Sequence, residues 1–91
     1  MRLRFTEQAL AEFVAQIDWL SERSPAAAWR ARERILATLT WLADFPLAVP
    51  LIDETHRDAV VRFGRDGFFV RYRLEGDDLI VIGVFHGRQS R

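Results

Sequence analysis

The chain has 91 residues, 49% of them apolar, and is expected to form one small domain over residues 1–91 around a single core. It contains no cysteine, which excludes disulfides and thiolate chemistry, and its thirteen cationic side chains are all arginine. Thirteen acidic residues bring the net charge to zero, which argues against RNA or DNA as the main partner of the domain.

No stretch of the sequence approaches the roughly 20 apolar residues that a membrane span needs. The start of the chain is strand-like and lacks the apolar segment of a signal peptide. We therefore expect a soluble, cytoplasmic protein that does not bind a membrane.

The first half of the chain predicts one strand and two helices. Residues 2–5 alternate between arginine and apolar side chains, which is typical of a short, half-buried strand. Thr6 can cap a helix that ends near Glu22, and Ser24 with Pro25 can begin a second helix that ends near Asp44. The short link between them predicts an antiparallel hairpin. The expected apolar stripes are Leu10, Phe13, Val14, Ile17 and Leu20 on the first helix, and Ala28, Ile35, Leu39 and Leu42 on the second.

The second half predicts three strands, over residues 59–63, 68–74 and 79–86. Glycine-containing turns separate them at residues 64–67 and 75–78. The last strand is almost entirely apolar, which is typical of a central strand. The predicted fold is α+β with the order β-α-α-β-β-β, in which the helical hairpin packs on one face of a small, mostly antiparallel sheet.

Strand periodicity assigns arginines to the sheet face opposite the helices. Arg71 and Arg73 alternate with Tyr72, which is expected to point into the core, and Arg62 takes the same outward position on the preceding strand. No acidic residue alternates into these two predicted strands. The sequence therefore predicts an open, positive face for a negative surface of another chain, with His86 near its edge if the last strand is in matching register. The alternative is a solvated face on which long charged side chains are ordinary.

The remaining polar residues give no sign of a metal or cofactor site. A single histidine at a strand end, such as His86, is more often structural than a general base, and His56 has no partner at metal-ligand spacing. The carboxylate pairs lie in predicted turns, and no glycine-rich phosphate loop is present. We expect no metal and no cofactor.

Five segments in order resemble the RelE/ParE superfamily of toxins from bacterial type II toxin–antitoxin modules, and the resemblance covers essentially the whole chain. The segments are residues 24–28, 42–46, 57–58, 69–73 and 84–88. The resemblance implies the same helical hairpin on a small antiparallel sheet, and a small antitoxin whose carboxyl-terminal segment wraps the toxin.

Two activities are implied by the resemblance. RelE-type members are ribosome-dependent endoribonucleases that cut mRNA with basic residues on the sheet face. That pattern would carry over to Arg62, Arg71 and Arg73 as phosphate contacts and to His86 as acid or base. ParE-type members bind DNA gyrase and inhibit it without chemistry of their own.

Departures from the RelE pattern favour the ParE-type interpretation. The chain has no lysine, no tyrosine after Tyr72 and no net positive charge, whereas its ending, residues 86–88, resembles that of ParE-type toxins. An mRNA endoribonuclease remains the alternative, and a third possibility is a degenerate toxin that only binds its antitoxin and regulates transcription.

Partner contacts are predicted at exposed cationic and aromatic side chains. Trp19 lies off the main stripe of the first helix, where it could receive an acidic, amphipathic antitoxin segment. The alternative is that it packs against Trp29 or Trp41 within the hairpin. The predicted partner-binding residues are Arg62, Arg71, Arg73, Trp19 and Arg88.

Overall fold

A computed structural model describes residues 1–89 of the chain. Six elements follow one another along it: β1 (Arg2–Phe5), α1 (Glu7–Arg23), α2 (Pro25–Asp44), β2 (His56–Val61), β3 (Phe68–Glu75) and β4 (Asp78–His86). This order confirms the predicted α+β arrangement. No helix in the described part of the chain is long and apolar enough to cross a membrane.

The helical hairpin is set by its caps. The Thr6 hydroxyl accepts a hydrogen bond from the Ala9 N–H at the start of α1, and the Ser24 hydroxyl accepts one from the Ala27 N–H at the start of α2, each at 3.1 Å. Ser24 is also the C-cap of α1, and its N–H donates to the Leu20 carbonyl. Because one residue serves both helix ends, α2 must fold back along α1.

The sheet has the strand order β1-β4-β3-β2. β4 pairs in parallel with β1 and antiparallel with β3, which in turn pairs antiparallel with β2. β4 is therefore a central strand, as its apolar sequence predicts. β2 was predicted over residues 59–63 but runs from His56 to Val61, because β3 is long enough to pair with the three preceding residues.

The core lies between the helices and one face of the sheet. Alternate residues of β3 supply it, since Phe68, Val70 and Tyr72 are buried as predicted. On α1 the prediction was partly wrong, because Leu10 and Val14 are about half exposed. The face of α1 that meets the sheet is centred on Ala9 and Phe13, one helical turn apart.

Tyr72 is fully buried, as its inward position on the strand predicts. Its hydroxyl donates a hydrogen bond of 2.8 Å to the carbonyl of Pro46 in the loop after α2. Burial raises the pKa of the phenol above its usual value of 10.0. Tyr72 therefore joins that loop to the sheet and is inaccessible to a substrate on the outer face.

Candidate functional site

The sheet face away from the helices carries Arg71, but its guanidinium has an internal partner. Asp58 lies directly opposite on β2 and accepts two hydrogen bonds from it, of 2.8 and 3.1 Å. The Asp58 side chain is only 9% exposed. The hydrogen bonds that it accepts raise the pKa of the Arg71 guanidinium above its ordinary value. The expectation that no acid alternates into these strands was wrong, because β2 begins early enough to include Asp58.

The other arginines of this face are paired in the same way. Arg73 contacts the carboxylate of Glu75 at 3.3 Å. Arg2 and Arg4 of β1 both contact Asp78, at 2.8 and 3.0 Å, and their hydrogen bonds lower the pKa of that carboxyl group. The predicted open positive face is therefore neutralised by carboxylates of the same chain.

Arg62 does not lie on this strand surface. β2 ends at Val61, so Arg62 is in the connection to β3, where it is exposed. Its backbone carbonyl accepts a hydrogen bond of 2.9 Å from the guanidinium of Arg34 on α2. The predicted grouping of Arg62 with Arg71 and Arg73 on adjacent strands was wrong.

His86 lies on the helix side of the sheet rather than beside these arginines. It is opposite the buried Phe68, and the two rings meet edge to face with centroids 5.9 Å apart. The cause is a β-bulge, since the register between β3 and β4 shifts between Arg71 and Tyr72. One extra residue reverses the alternation of side chains beyond the bulge. The four residues expected of a ribonuclease are thus not brought together.

The end of β4 is fastened to the connection between β2 and β3. The Gly87 N–H donates to the Gly67 carbonyl at 2.9 Å, and the Arg88 guanidinium lies 2.6 Å from the carboxylate of Asp66. A β-carbon at Gly87 would come within 1.9 Å of the Asp66 carbonyl oxygen. The sequence singled out Gly87 and Arg88 only by resemblance, and the contact that requires the glycine was missed.

Trp19 is 54% exposed, as its position off the main stripe suggests. The Arg23 guanidinium lies over its ring, 3.6 Å from the centroid. No ring contact with Trp29 or Trp41 appears within residues 1–89, so the alternative of packing inside the hairpin was wrong. Trp19 instead borders a hollow of about 310 Å³ with His86 and Gln89. Its role as a partner contact stays a prediction, as do those of Arg62, Arg71, Arg73 and Arg88.

Comparison with known proteins decides the family. A model of the family "ParE toxin of type II toxin-antitoxin system, parDE" matches residues 3–91. The chain belongs to the ParE toxin family. Membership of a toxin–antitoxin family implies a cognate antitoxin as the partner of this toxin.

Related proteins carry both names of the superfamily. Toxin RelE1 of Caulobacter vibrioides is 33% identical over 84 residues, which are 92% of this toxin and 90% of the relative. Toxin RelE3 of the same organism is 30% identical over 73 residues, which are 80% and 79% of the two chains. A chain of the chromosomal ParDE system from P. aeruginosa has the same fold, with a TM-score of 0.72, 21% identity and coverage of 94% and 95%.

A second cationic surface of the toxin lies between α2 and the connection that follows β2. Here an open groove of about 650 Å³ is lined by Trp29, Arg30, Arg34, Phe63 and Gly64, among others. Arg62 and Arg65 flank Phe63 and Gly64 in the sequence. We use the name arginine groove for the five lining residues together with these two flanking arginines of the connection. Arg30 and Arg34 are one turn apart on α2, but nothing in the sequence marks the connection that faces them.

No three His, Cys, Asp or Glu side chains group together within residues 1–89 as they would around a metal ion. His56 does have a carboxylate neighbour, since its Nδ1 lies 2.8 Å from an oxygen of Asp53. The other Asp53 oxygen accepts hydrogen bonds from the N–H groups of Thr55 and His56. This arrangement is a turn that leads into β2.

The Asp53 turn predicts a specific loss of stability in acid. The hydrogen bond from the Thr55 N–H, with those from His56, lowers the pKa of Asp53 from 3.8 to about 2. A carboxyl group with a lowered pKa in the folded state stabilises that state above its ordinary pKa, and the contribution disappears as the pH falls toward 2. We therefore expect Asp53→Asn to be less stable than the unsubstituted toxin above pH 3.8, with a difference that shrinks toward pH 2.

Urea unfolding at a series of pH values measures this difference. Asparagine retains a side-chain carbonyl that can accept the Thr55 N–H, so the variant loses the charge and the oxygen that contacts the His56 ring but keeps the hydrogen bond from Thr55. A difference in the free energy of unfolding that is the same at every pH would contradict the assignment.

Proposed function

We propose that this toxin inhibits DNA gyrase by binding it, without chemistry of its own, and that its cognate antitoxin holds it inactive. The site of action would be the cytoplasm. The observation that carries the proposal is the separation of His86 from Arg71 and Arg73 by the thickness of the sheet. Attack by a 2′-oxygen needs a proton acceptor and a cation around the same phosphate. The described carboxylates of the outer face are already paired with its arginines, so neither the acceptor nor the cation of such a pair is free for a phosphate.

The ion pairs support the same proposal. Arg71 would have to leave Asp58, a carboxylate that is almost buried, before it could contact a phosphate. Removing one partner of such a pair leaves an uncompensated charge, which is costly. Tyr72 is buried and cannot replace the missing base. On this proposal Arg71 and Arg73 act within the fold, and gyrase is bound through other surfaces.

A supercoiling assay with purified gyrase tests the proposal. We expect micromolar toxin to inhibit supercoiling and the addition of purified antitoxin to restore it. The variant Arg73→Gln should inhibit as strongly as the unsubstituted toxin, because Arg73 is paired with an exposed glutamate of its own strand. Normal supercoiling at saturating, folded toxin would contradict the proposal.

The alternative function is cleavage of mRNA on the ribosome, and the names of the two Caulobacter relatives favour it. Primer extension on translated message after induction distinguishes the two activities. New cuts that disappear in His86→Ala would support the ribonuclease, whereas growth arrest with intact message supports gyrase inhibition. Expression without growth arrest would instead indicate a toxin that only binds its antitoxin.

A further inference from the structure

Carboxylate partners are distributed unevenly among the arginines. Within residues 1–89, seven arginines lie within 4.0 Å of a carboxylate oxygen: Arg2, Arg4, Arg23, Arg32, Arg71, Arg73 and Arg88. Of the others in this range, Arg57 donates to the Val49 carbonyl. The remaining four are Arg30, Arg34, Arg62 and Arg65. Arg30 and Arg34 line the arginine groove itself, and Arg62 and Arg65 lie on the connection that supplies its other wall.

Two of these arginines line the groove, and the other two flank the residues of the connection that line it. Arg30 and Arg34 are four residues apart on α2, about 6 Å along its axis and on one face. The hydrogen bond from Arg34 to the Arg62 carbonyl joins the helix to the connection after β2. Arg65 borders an adjoining hollow that shares Phe63 and Gly64 with the groove. Two elements that are distant in sequence thus contribute positive charge to one surface.

The groove is positive although the toxin as a whole is neutral. Glu33 is the carboxylate that lines it, and Glu33 contacts Arg32 at 3.1 Å. Asp66, next to Arg65, is engaged by Arg88. The net charge of the chain is zero because acidic residues, most of them outside the groove, balance the arginines in number. Within the groove, guanidinium groups outnumber carboxylates.

Aromatic side chains accompany these guanidinium groups. Trp29 is 61% exposed on the groove, and the partly buried Phe63 lies beside Gly64 in its lining. A guanidinium fork matches a phosphate, and an exposed ring offers a stacking surface to an unpaired base. A purely acidic segment would use the arginines alone, whereas a single strand of nucleic acid uses both the arginines and the ring.

We propose that the arginine groove binds single-stranded nucleic acid, with Arg30 and Arg34 on phosphates within the groove, Arg62 and Arg65 on phosphates beside it, and a base stacked on Trp29. This surface is distinct from the outer sheet face, where the described guanidinium groups are paired. The inference goes beyond gyrase inhibition and does not depend on it. Binding to nucleic acid is measured without gyrase, so each proposal can fail alone.

Fluorescence anisotropy with a labelled oligothymidylate tests the groove. We expect dissociation constants on the order of micromolar at low salt, weakening roughly fiftyfold between about 50 and 200 mM salt if four phosphates are contacted. Arg30→Gln/Arg65→Gln should raise the dissociation constant about tenfold and lower the salt dependence by about two contacts. Neither side chain has a described partner, so the fold should be unaffected. Trp29→Ala should weaken binding by about fivefold or more.

The control variant Arg4→Gln/Arg23→Gln removes the same charge away from the groove. It keeps the Arg2–Asp78 pair and should bind within about twofold of the unsubstituted toxin. If the control loses as much affinity as Arg30→Gln/Arg65→Gln, binding depends only on net charge and the proposed site is overturned. Absence of binding at low salt would also overturn it.

Two further probes distinguish RNA, DNA and an acidic protein segment as the partner of the groove. Oligouridylate should bind like oligothymidylate, because no side chain of the groove is dedicated to a 2′-hydroxyl. A preference for RNA of about tenfold would overturn that feature of the proposal. Labelled polyglutamate should bind more weakly than either oligonucleotide. Equal or tighter binding of polyglutamate would overturn the proposal in favour of an acidic protein segment.

Discussion

Replacement of Ile35 by alanine is expected to lower the free energy of unfolding by about 2–5 kcal/mol. Ile35 is fully buried on α2, in the cluster where the helices meet the sheet. The substitution removes apolar surface from the core and leaves a cavity that the neighbouring side chains fill only in part. A domain of this size has a total stability of about 5–14 kcal/mol, so the loss is a large share of it.

Ile52→Ala is the matched control, since Ile52 is 50% exposed in the loop before β2. The same atoms are removed, but solvent already contacts them, so we expect a loss below about 1 kcal/mol. Urea unfolding followed by circular dichroism measures both variants. Similar losses for the two would show that α2 is not packed on the sheet as described.

Gly67→Ala is expected to lower the free energy of unfolding by roughly 2–5 kcal/mol, through two separate causes. Gly67 has a φ of +64°, a backbone conformation that costs an alanine about 1–2 kcal/mol. A β-carbon there would also lie 2.5 Å from the carbonyl oxygen of Val61, which is backbone and cannot rotate away. Relief of that overlap would shift the end of β2 or the connection itself.

Gly64→Ala separates the two causes. Gly64 has a similar φ of +57°, but nothing lies within 4 Å of the position of its β-carbon. We therefore expect only the conformational cost of about 1–2 kcal/mol. Thermal and urea unfolding of the two variants measure the difference. Equal losses would mean that the contact between Gly67 and Val61 does not constrain this connection.

Gly67→Ala should also weaken the contacts of Gly87 and Arg88 near the end of the chain. The Gly67 carbonyl accepts the Gly87 N–H, and the neighbouring Asp66 pairs with Arg88. Displacement of this connection would loosen both contacts, whereas Gly64→Ala should preserve them. Hydrogen exchange at the Gly87 amide reports that difference directly.

Local patterns in the sequence were sufficient for most of the fold. Thr6 and Ser24 cap the helices as predicted, and Tyr72 points into the core because side chains alternate along a strand. The stripe of α1 was less well predicted, since Leu10 and Val14 lie beside the buried positions and are exposed. Periodicity identifies the apolar face of a helix, but it does not determine how much of that face the sheet covers.

The candidate site was predicted less well, because it depends on register. Asp58 neutralises Arg71 only because β2 begins at His56, and nothing near Asp58 in the sequence marks that start. His86 faces the helices because a single bulge between β3 and β4 reverses the alternation beyond it. An error of one residue in the register between β3 and β4 moves a side chain to the other face.

By itself, the sequence determined the six elements, their order and the family to which the toxin belongs, since these depend on neighbouring residues and on the order of motifs. Only the tertiary structure decided which guanidinium groups meet carboxylates and that Arg30 and Arg34 of α2 face the connection after β2. The physical reason is that an ion pair forms over a few ångströms of space, and the residues that supply it are 13 apart for Arg71 and Asp58 and 76 apart for Arg2 and Asp78.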